Sequence, residues 1–229
     1  MKIGGLQNLT LLDYPDKTAC IVFTNGCNLR CPYCHNASLV THTNEYPLVD
    51  KAQVFALLKK RKGILDGVVI TGGEPLLQEG IEEFIDEIKK TGYDVKLDTN
   101  GTFPDKLERL IRLKKVDYVA MDIKNCPRLY ALTAGVKNPD IKAVEKSAAV
   151  LLKGDVPYEF RTTVAKPFFD KSCFTEIGVW LKGAQKYYLQ KFKDSGDLVG
   201  GADVSAYSDA EMQEFLNEIK KYIPSAELR

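Results

Sequence analysis

Apolar positions along this chain follow two alternating rhythms. Residues 18–23 (TACIVF) form a short β-rich run closed by Asn25-Gly26, the pattern of a buried strand ending in a turn. Asp50 stands at an N-cap position before a helix over 51–62, where Val54, Leu57 and Leu58 recur at helical spacing and Gly63 ends the pattern. Residues 67–71 (GVVIT) are a second strand, and Ile81, Phe84, Ile85 and Ile88 form a helical stripe with Gly92 as its stop. A third strand over 94–99 runs into Asn100-Gly101. A basic amphipathic helix over 104–113 turns Leu107, Leu110 and Ile111 inward, and a fourth strand covers 117–124. The beat continues with a helix near 141–153, a strand over 157–164, a helix near 175–181 and a strand over 186–191. The last helix, 209–222, opens on Ser208-Asp209-Ala210-Glu211, a capping box, and buries Met212, Phe215, Leu216, Ile219 and Tyr222.

Six strand-then-helix units without an internal linker predict an α/β fold with a parallel sheet. A complete eight-unit barrel takes roughly 250 residues, so the expectation is a partial, TIM-like (β/α)6 barrel. One domain over 1–229 is expected, with its core at about 18–192 and a loop and helix at 193–229. In this architecture ligands sit at the carboxyl ends of the strands, where the unusual residues of this sequence cluster.

Composition narrows the function. Thirty-two basic against 31 acidic residues give a net charge of +1, so no whole-protein field exists to hold nucleic acid or an anionic membrane. No apolar run approaches the about 20 residues of a membrane span. Residues 1–17 carry Asp13, Pro15 and Asp16 instead of a secretory leader's basic and apolar segments, which points to the cytoplasm. Six cysteines in 229 residues are too sparse for a disulfide scaffold, yet three of them, Cys27, Cys31 and Cys34, fall within eight positions.

Three chemistries suit that crowding. Zinc would use the three thiols with His35 or His42, although structural zinc sites usually draw on two separated ligand pairs and no second pair exists. A thiol-disulfide centre would use Cys31-Pro32-Tyr33-Cys34, but leaves Cys27 and most of the chain without a task. An iron-sulfur cluster takes thiolates as its natural ligands, and three of them leave one iron of a four-iron cube open to a substrate. Cys20, Cys126 and Cys173 have no partner at ligand spacing and read as packing residues.

The other strand ends are equally unusual. Thr71-Gly72-Gly73-Glu74-Pro75 closes strand two and matches neither the dinucleotide fingerprint nor the P-loop. Asp98-Thr99-Asn100-Gly101 closes strand three, and alternation puts Lys96, Asp98 and Asn100 on one face. Asp122 and Lys124 share a face of strand four, as do Glu159, Arg161 and Thr163 on strand five. A solvated edge would explain one such strand, whereas three in a row point to a polar barrel lumen.

The spacing Cys27-x3-Cys31-x2-Cys34, with Tyr33 before the last cysteine, resembles the signature of the radical S-adenosylmethionine superfamily. Gly72-Gly73-Glu74-Pro75 resembles that superfamily's glycine-rich motif. The whole pattern, including Asp13-Tyr14-Pro15 and residues 188–192, is similar to the glycyl-radical-enzyme activating proteins, most closely those of anaerobic ribonucleoside-triphosphate reductase. The resemblance implies a [4Fe-4S] cluster on Cys27, Cys31 and Cys34, with S-adenosylmethionine chelated at the open iron. It implies that the backbone at Gly72 and Gly73 approaches the methionyl amine with Glu74 supporting this end of the cofactor site, and that Asp98, Thr99, Asn100, Asp122, Lys124 and Arg161 lie around the cofactor beside Tyr33. Asp98 and Asp122 would also neighbour a monovalent cation. The implied partners are a glycyl radical enzyme and reduced flavodoxin or ferredoxin as electron donor. A histidine found late in some activators has no counterpart, since both histidines precede residue 43, which leaves open what Gln190 of strand six contributes. Another radical substrate, small or peptidic, and a non-enzymatic electron carrier remain alternatives. Residues 196–207, with Gly196, Gly200 and Gly201, are a candidate partner-docking loop or a plain connection.

Overall fold

Strand β1 (Ile3–Thr10) runs antiparallel to β2 (Ala19–Thr24), and every later neighbour along the main sheet is parallel. This computed structural model describes residues 1–229 except Tyr46, Ser195, Asp197, Gly201 and Ala202. After β2 come α1 (Ala37–Val40), α2 (Lys51–Lys60), β3 (Gly67–Gly72), α3 (Ile81–Lys90), β4 (Asp94–Thr99), α4 (Pro104–Arg112) and β5 (Tyr118–Asp122). The chain continues through α5 (Tyr130–Ala134), α6 (Ile141–Leu152), β6 (Tyr158–Lys166), α7 (Lys171–Trp180), β7 (Tyr187–Lys191), β8 (Ser205–Ala206), α8 (Asp209–Lys220) and β9 (Ala226–Leu228). The main sheet has the order β1-β2-β3-β4-β5-β6-β7-β9, while β8 pairs antiparallel with the end of β6.

The six parallel strands β2 to β7 are those expected from the sequence, and they neighbour one another in chain order. A doubly wound sheet would reverse direction at a switch point; this one does not, so successive right-handed crossovers keep the crossover helices, such as α3 and α4, on the outer face. Among the described residues no ladder joins β1 to β9, and the barrel is partial.

Burial follows the two faces. Outward side chains such as Val68, Ile70, Val95, Leu97, Val119 and Phe160 pack in one core with Phe84, Ile85 and Ile88 of α3 and Leu107, Leu110 and Ile111 of α4. The inner face has only a small apolar floor of Tyr14, Ala19, Ile21, Val69 and Tyr118. Above that floor the lumen is ionic, as the alternating charges predict.

Several bounds differ from the sequence reading. Helix α7 starts at Lys171, not near 175, because the Asp170 carboxylate accepts the Cys173 backbone N–H at 3.1 Å and caps it. Helix α2 stops at Lys60 and α8 at Lys220. Strand β1 escaped notice because Gly4 and Gly5 and two register shifts break its alternation. Within 196–207, Asp197, Gly201 and Ala202 lie outside the described residues; Leu198 packs on the core, and the Gly200 N–H donates to the Pro32 carbonyl at 2.9 Å. No helix among the described residues is long and apolar enough to cross a membrane.

Ser208 caps α8 reciprocally: its Oγ accepts the Glu211 N–H at 3.3 Å and its own N–H donates to Glu211 Oε2 at 2.7 Å. Ser208→Ala is expected to remove about 1 kcal/mol of stability, read as a lower urea midpoint at unchanged slope.

Candidate active site

The loop after β2 carries the three clustered cysteines, and Cys27, Cys31 and Cys34 all line one cavity of about 400 Å³. Two strand ends and the end of helix α5 hold this loop. Tyr33, buried against Phe168, donates its hydroxyl hydrogen to the Lys124 carbonyl at 3.2 Å. Asn36 Nδ2 donates to the Gly72 carbonyl at 3.1 Å, and the Arg30 N–H donates to the Ala134 carbonyl at 2.9 Å. Gly135, which ends α5 at φ 65°, makes that last approach possible, since a Cβ there would lie 1.8 Å from the Arg30 oxygen.

None of the six cysteines is disulfide-bonded. Burial pushes the Cys31 thiol up to about 12 and raises Cys27 as well, even though the Leu29 N–H reaches the Cys27 sulfur. A Cys31 thiol so deeply buried disfavours the exchange chemistry open to a glutaredoxin-like pair. Metal ligation removes the proton outright. The donor set suits a cluster: three thiols share one wall, and Asn100 Nδ2 and the Leu29 N–H point at the Cys27 sulfur from 3.8 and 3.4 Å. It does not suit zinc, because among the described residues no three His, Cys, Asp or Glu side chains converge on a single-ion position, and His42 instead pairs with Glu45.

The Gly72-Gly73-Glu74-Pro75 turn packs directly beneath the cysteine loop. A Cβ on Gly72, at φ 108°, would lie 2.5 Å from the Thr24 nitrogen, and one on Gly73 would lie 1.9 Å from the Gly26 oxygen. Both glycines line the cavity, as expected; Glu74 does not. Its carboxylate is fully buried behind the wall, where it accepts from Leu76 N at 3.0 Å, Thr99 Oγ1 at 2.9 Å and Asn100 N at 2.7 Å. Glu74 therefore braces the β3 turn against the β4 turn. Desolvation outweighs these three donors and pushes its carboxyl up to about 7.

The inner faces of β4, β5 and β6 complete the cavity with Asp98, Thr99, Asn100, Asp122, Lys124 and Arg161. Lys96, 1% exposed, meets Asp98 Oδ1 at 2.5 Å. Arg161 meets Asp98 Oδ2 at 3.3 Å and Asp122 Oδ1 at 3.0 Å, and Lys124 meets Asp122 Oδ2 at 3.1 Å. Burial alone would raise the Asp122 carboxyl, but Arg161 and Lys124 pull it down to about 2, and both cations are held above their ordinary values. Every carboxylate oxygen of Asp98 and Asp122 thus faces a cationic side chain.

Residues 21–170 match the profile of the Radical SAM superfamily, and that stretch is more than half of the chain. The chain belongs to the radical SAM superfamily. It is 32% identical to a protein of Methanocaldococcus jannaschii named, provisionally, as a glycyl-radical enzyme activating enzyme, over 99% of this chain and 95% of that one. It is 36% identical to the pyruvate formate-lyase-activating enzyme of Listeria monocytogenes over 54% of this chain and 53% of that enzyme. In fold it is similar to Streptococcus suis SuiB bound to its precursor peptide, at a TM-score of 0.69 and 14% identity, over 91% of this chain and 48% of that one. As a radical SAM enzyme the protein belongs with carriers of a [4Fe-4S] cluster and S-adenosylmethionine, and the Cys27, Cys31 and Cys34 wall is where its donors suit the cluster.

The structure also brings residues to this cavity that sequence reasoning left open or passed over. Gln190 of β7 and Thr163 of β6 line it, as do His35 and Asn36 beside the last cysteine. Asp13 lines it too, from the connection between β1 and β2. Gly135 carried no signal beyond a helix stop, since its role depends on a loop a hundred residues away.

Two predictions follow from the brace and the turn. Gly73→Ala is expected to separate the turn from the cysteine loop, read as iron and sulfide retention well below that of the parent after identical reconstitution; equal retention would show that the close approach is dispensable. Because the folded-state value of Glu74 lies above the ordinary 4.5, the folded protein binds this proton more tightly than the unfolded chain. Its contribution therefore makes stability fall, by roughly 3 kcal/mol, as pH rises from 4.5 to about 7. Denaturant titrations across that range should show a flatter profile in Glu74→Gln.

Proposed function

We propose that the protein is a glycyl-radical-enzyme activating enzyme whose partner is anaerobic ribonucleoside-triphosphate reductase. The observation that carries this reading is the convergence of three thiols, a close-packed glycine turn and an inward ionic ladder on one cavity at the carboxyl ends of the strands. The full-length likeness to the M. jannaschii protein supports it. One domain over residues 1–229 would carry the activity.

In this reading Cys27, Cys31 and Cys34 would hold the [4Fe-4S] cluster, with S-adenosylmethionine beside it in the same cavity. When bound and reduced, such a cluster supplies the electron that splits S-adenosylmethionine into methionine and a 5′-deoxyadenosyl radical. The protein's part is alignment. Tyr33 ties the cysteine loop to β5, the backbone at Gly72 and Gly73 approaches the methionyl end, and Glu74 fixes that turn from behind. Asp98, Thr99, Asn100, Asp122, Lys124 and Arg161 present paired charges and hydrogen-bond groups to the ligand. The hydrogen donor would be a backbone glycine of the partner, in the cytoplasm, with reduced flavodoxin or ferredoxin as electron donor. Nucleic acid has no part in it.

The test is anaerobic. Reconstituted protein, reductant and S-adenosylmethionine are mixed with purified anaerobic reductase or, separately, pyruvate formate-lyase, and the glycyl radical is read by electron paramagnetic resonance. A radical on the reductase is expected, together with loss of all S-adenosylmethionine cleavage in Cys27→Ala. A radical on the lyase alone would reassign the partner, and cleavage with no radical on either protein would sink the activase reading.

A further inference from the structure

The mechanism above leaves one buried carboxylate without a task. Glu159 projects from β6 into the lumen two residues before Arg161, is 1% exposed, and lies on the floor side of the ionic ladder. Tyr118 donates its hydroxyl hydrogen to Oε2 at 3.1 Å. The remaining oxygen has two cationic neighbours at unequal distances: Arg161 Nη1 at 3.9 Å and Arg229 Nη1 at 3.1 Å.

Arg229 reaches this position because of a strand the sequence did not announce. Strand β9 pairs parallel to β7, and the Arg229 N–H donates to the Leu189 carbonyl at 2.9 Å while its own carbonyl accepts from Lys191 N at 3.2 Å. The guanidinium is thereby laid over the Tyr188 ring, 3.7 Å from its centroid, with its donors toward Glu159. Backbone pairing, ring stacking and the ion pair all fix the same placement.

Its consequence lies one residue pair away. Arg161 carries a single charge and has three carboxylates within reach: Asp98, Asp122 and Glu159. A buried carboxylate without a counter-ion is costly, so Glu159 left alone would draw in the nearest cation. That cation is Arg161, which holds Asp98 and Asp122 on the cavity wall.

We propose that Arg229 is a positioning residue for the S-adenosylmethionine pocket: by satisfying Glu159 it keeps Arg161 on Asp98 and Asp122. This inference rests on the cofactor-binding reading given above. Arg229 acts through Glu159 and Arg161 and does not itself line the cavity.

Equilibrium binding of S-adenosylmethionine to the cluster-loaded protein tests it, with cluster content and thermal midpoint recorded for each variant. Arg229→Met should weaken binding about tenfold at unchanged cluster content, a change of about 1.4 kcal/mol. Glu159→Gln added to it removes the unpaired charge and should restore affinity to near that of the parent. Arg229→Lys keeps the charge and should remain near the parent too, and it serves as the informative variant if Arg229→Met does not fold. Unaltered affinity in Arg229→Met, no recovery in the double variant, or a loss in Arg229→Lys as large as in Arg229→Met would each overturn the proposal. Absence of binding by the parent protein would instead reject the pocket assignment itself.

Discussion

Arg161 has to satisfy two carboxylates on two different strands, and the shape of the site depends on that arrangement. In the ladder Asp122 sits directly beside Arg161, whereas Asp98 belongs to β4, on the far side of β5. Strands two apart in a sheet are separated by about 9.6 Å, a gap that the long Arg161 side chain bridges over β5 to reach both carboxylates. Lys96 and Lys124 complete the pairing at the two ends, and no carboxylate oxygen of Asp98 or Asp122 is left without a cation.

The two faces of the sheet divide the work. Apolar packing of helices on the outer face holds the strands, and the inner face can afford an ionic lumen because each charge there has its partner. The strand ends are then tied to one another by short contacts: Glu74 joins the β3 and β4 turns, Tyr33 joins the cysteine loop to β5, and Asn36 joins it to β3. Each tie crosses between elements distant in sequence, so the thiols stand in fixed relation to the charged wall. Such preorganisation is what a ligand chelated at one end and cradled along its length requires.

Much of this was legible from residues alone, and the reasons for the exceptions are physical. Strands β2 to β7 carry strong period-two or continuous apolar signals, and the alternation of Lys96-Asp98, Asp122-Lys124 and Glu159-Arg161 revealed which face looks inward. The cysteine spacing located the centre. How Glu74 supports its end of the site is not legible in the sequence, because a turn has no alternation rule; the three donors around its carboxylate show that it faces away from the cavity and braces the turn from behind. Strand β1 hid behind its glycines, and β9, at three residues, is too short for any periodicity to show. Arg229 accordingly carries no signal in the sequence, and its side chain is 40% exposed even as its tip reaches Glu159. Asp13 could not be placed because its position in the cavity depends on how the β1–β2 connection folds back.

The claim at the centre of this account is that the three thiols and the ionic wall form one site, with cluster and S-adenosylmethionine in contact. The most direct measurement is the paramagnetic resonance spectrum of the reduced, reconstituted protein with and without S-adenosylmethionine, alongside quantification of 5′-deoxyadenosine. The account predicts a spectrum altered by the ligand and deoxyadenosine formed with methionine in equal amounts. A well-formed cluster whose spectrum ignores S-adenosylmethionine and yields no deoxyadenosine would contradict it, and would leave an electron carrier in its place.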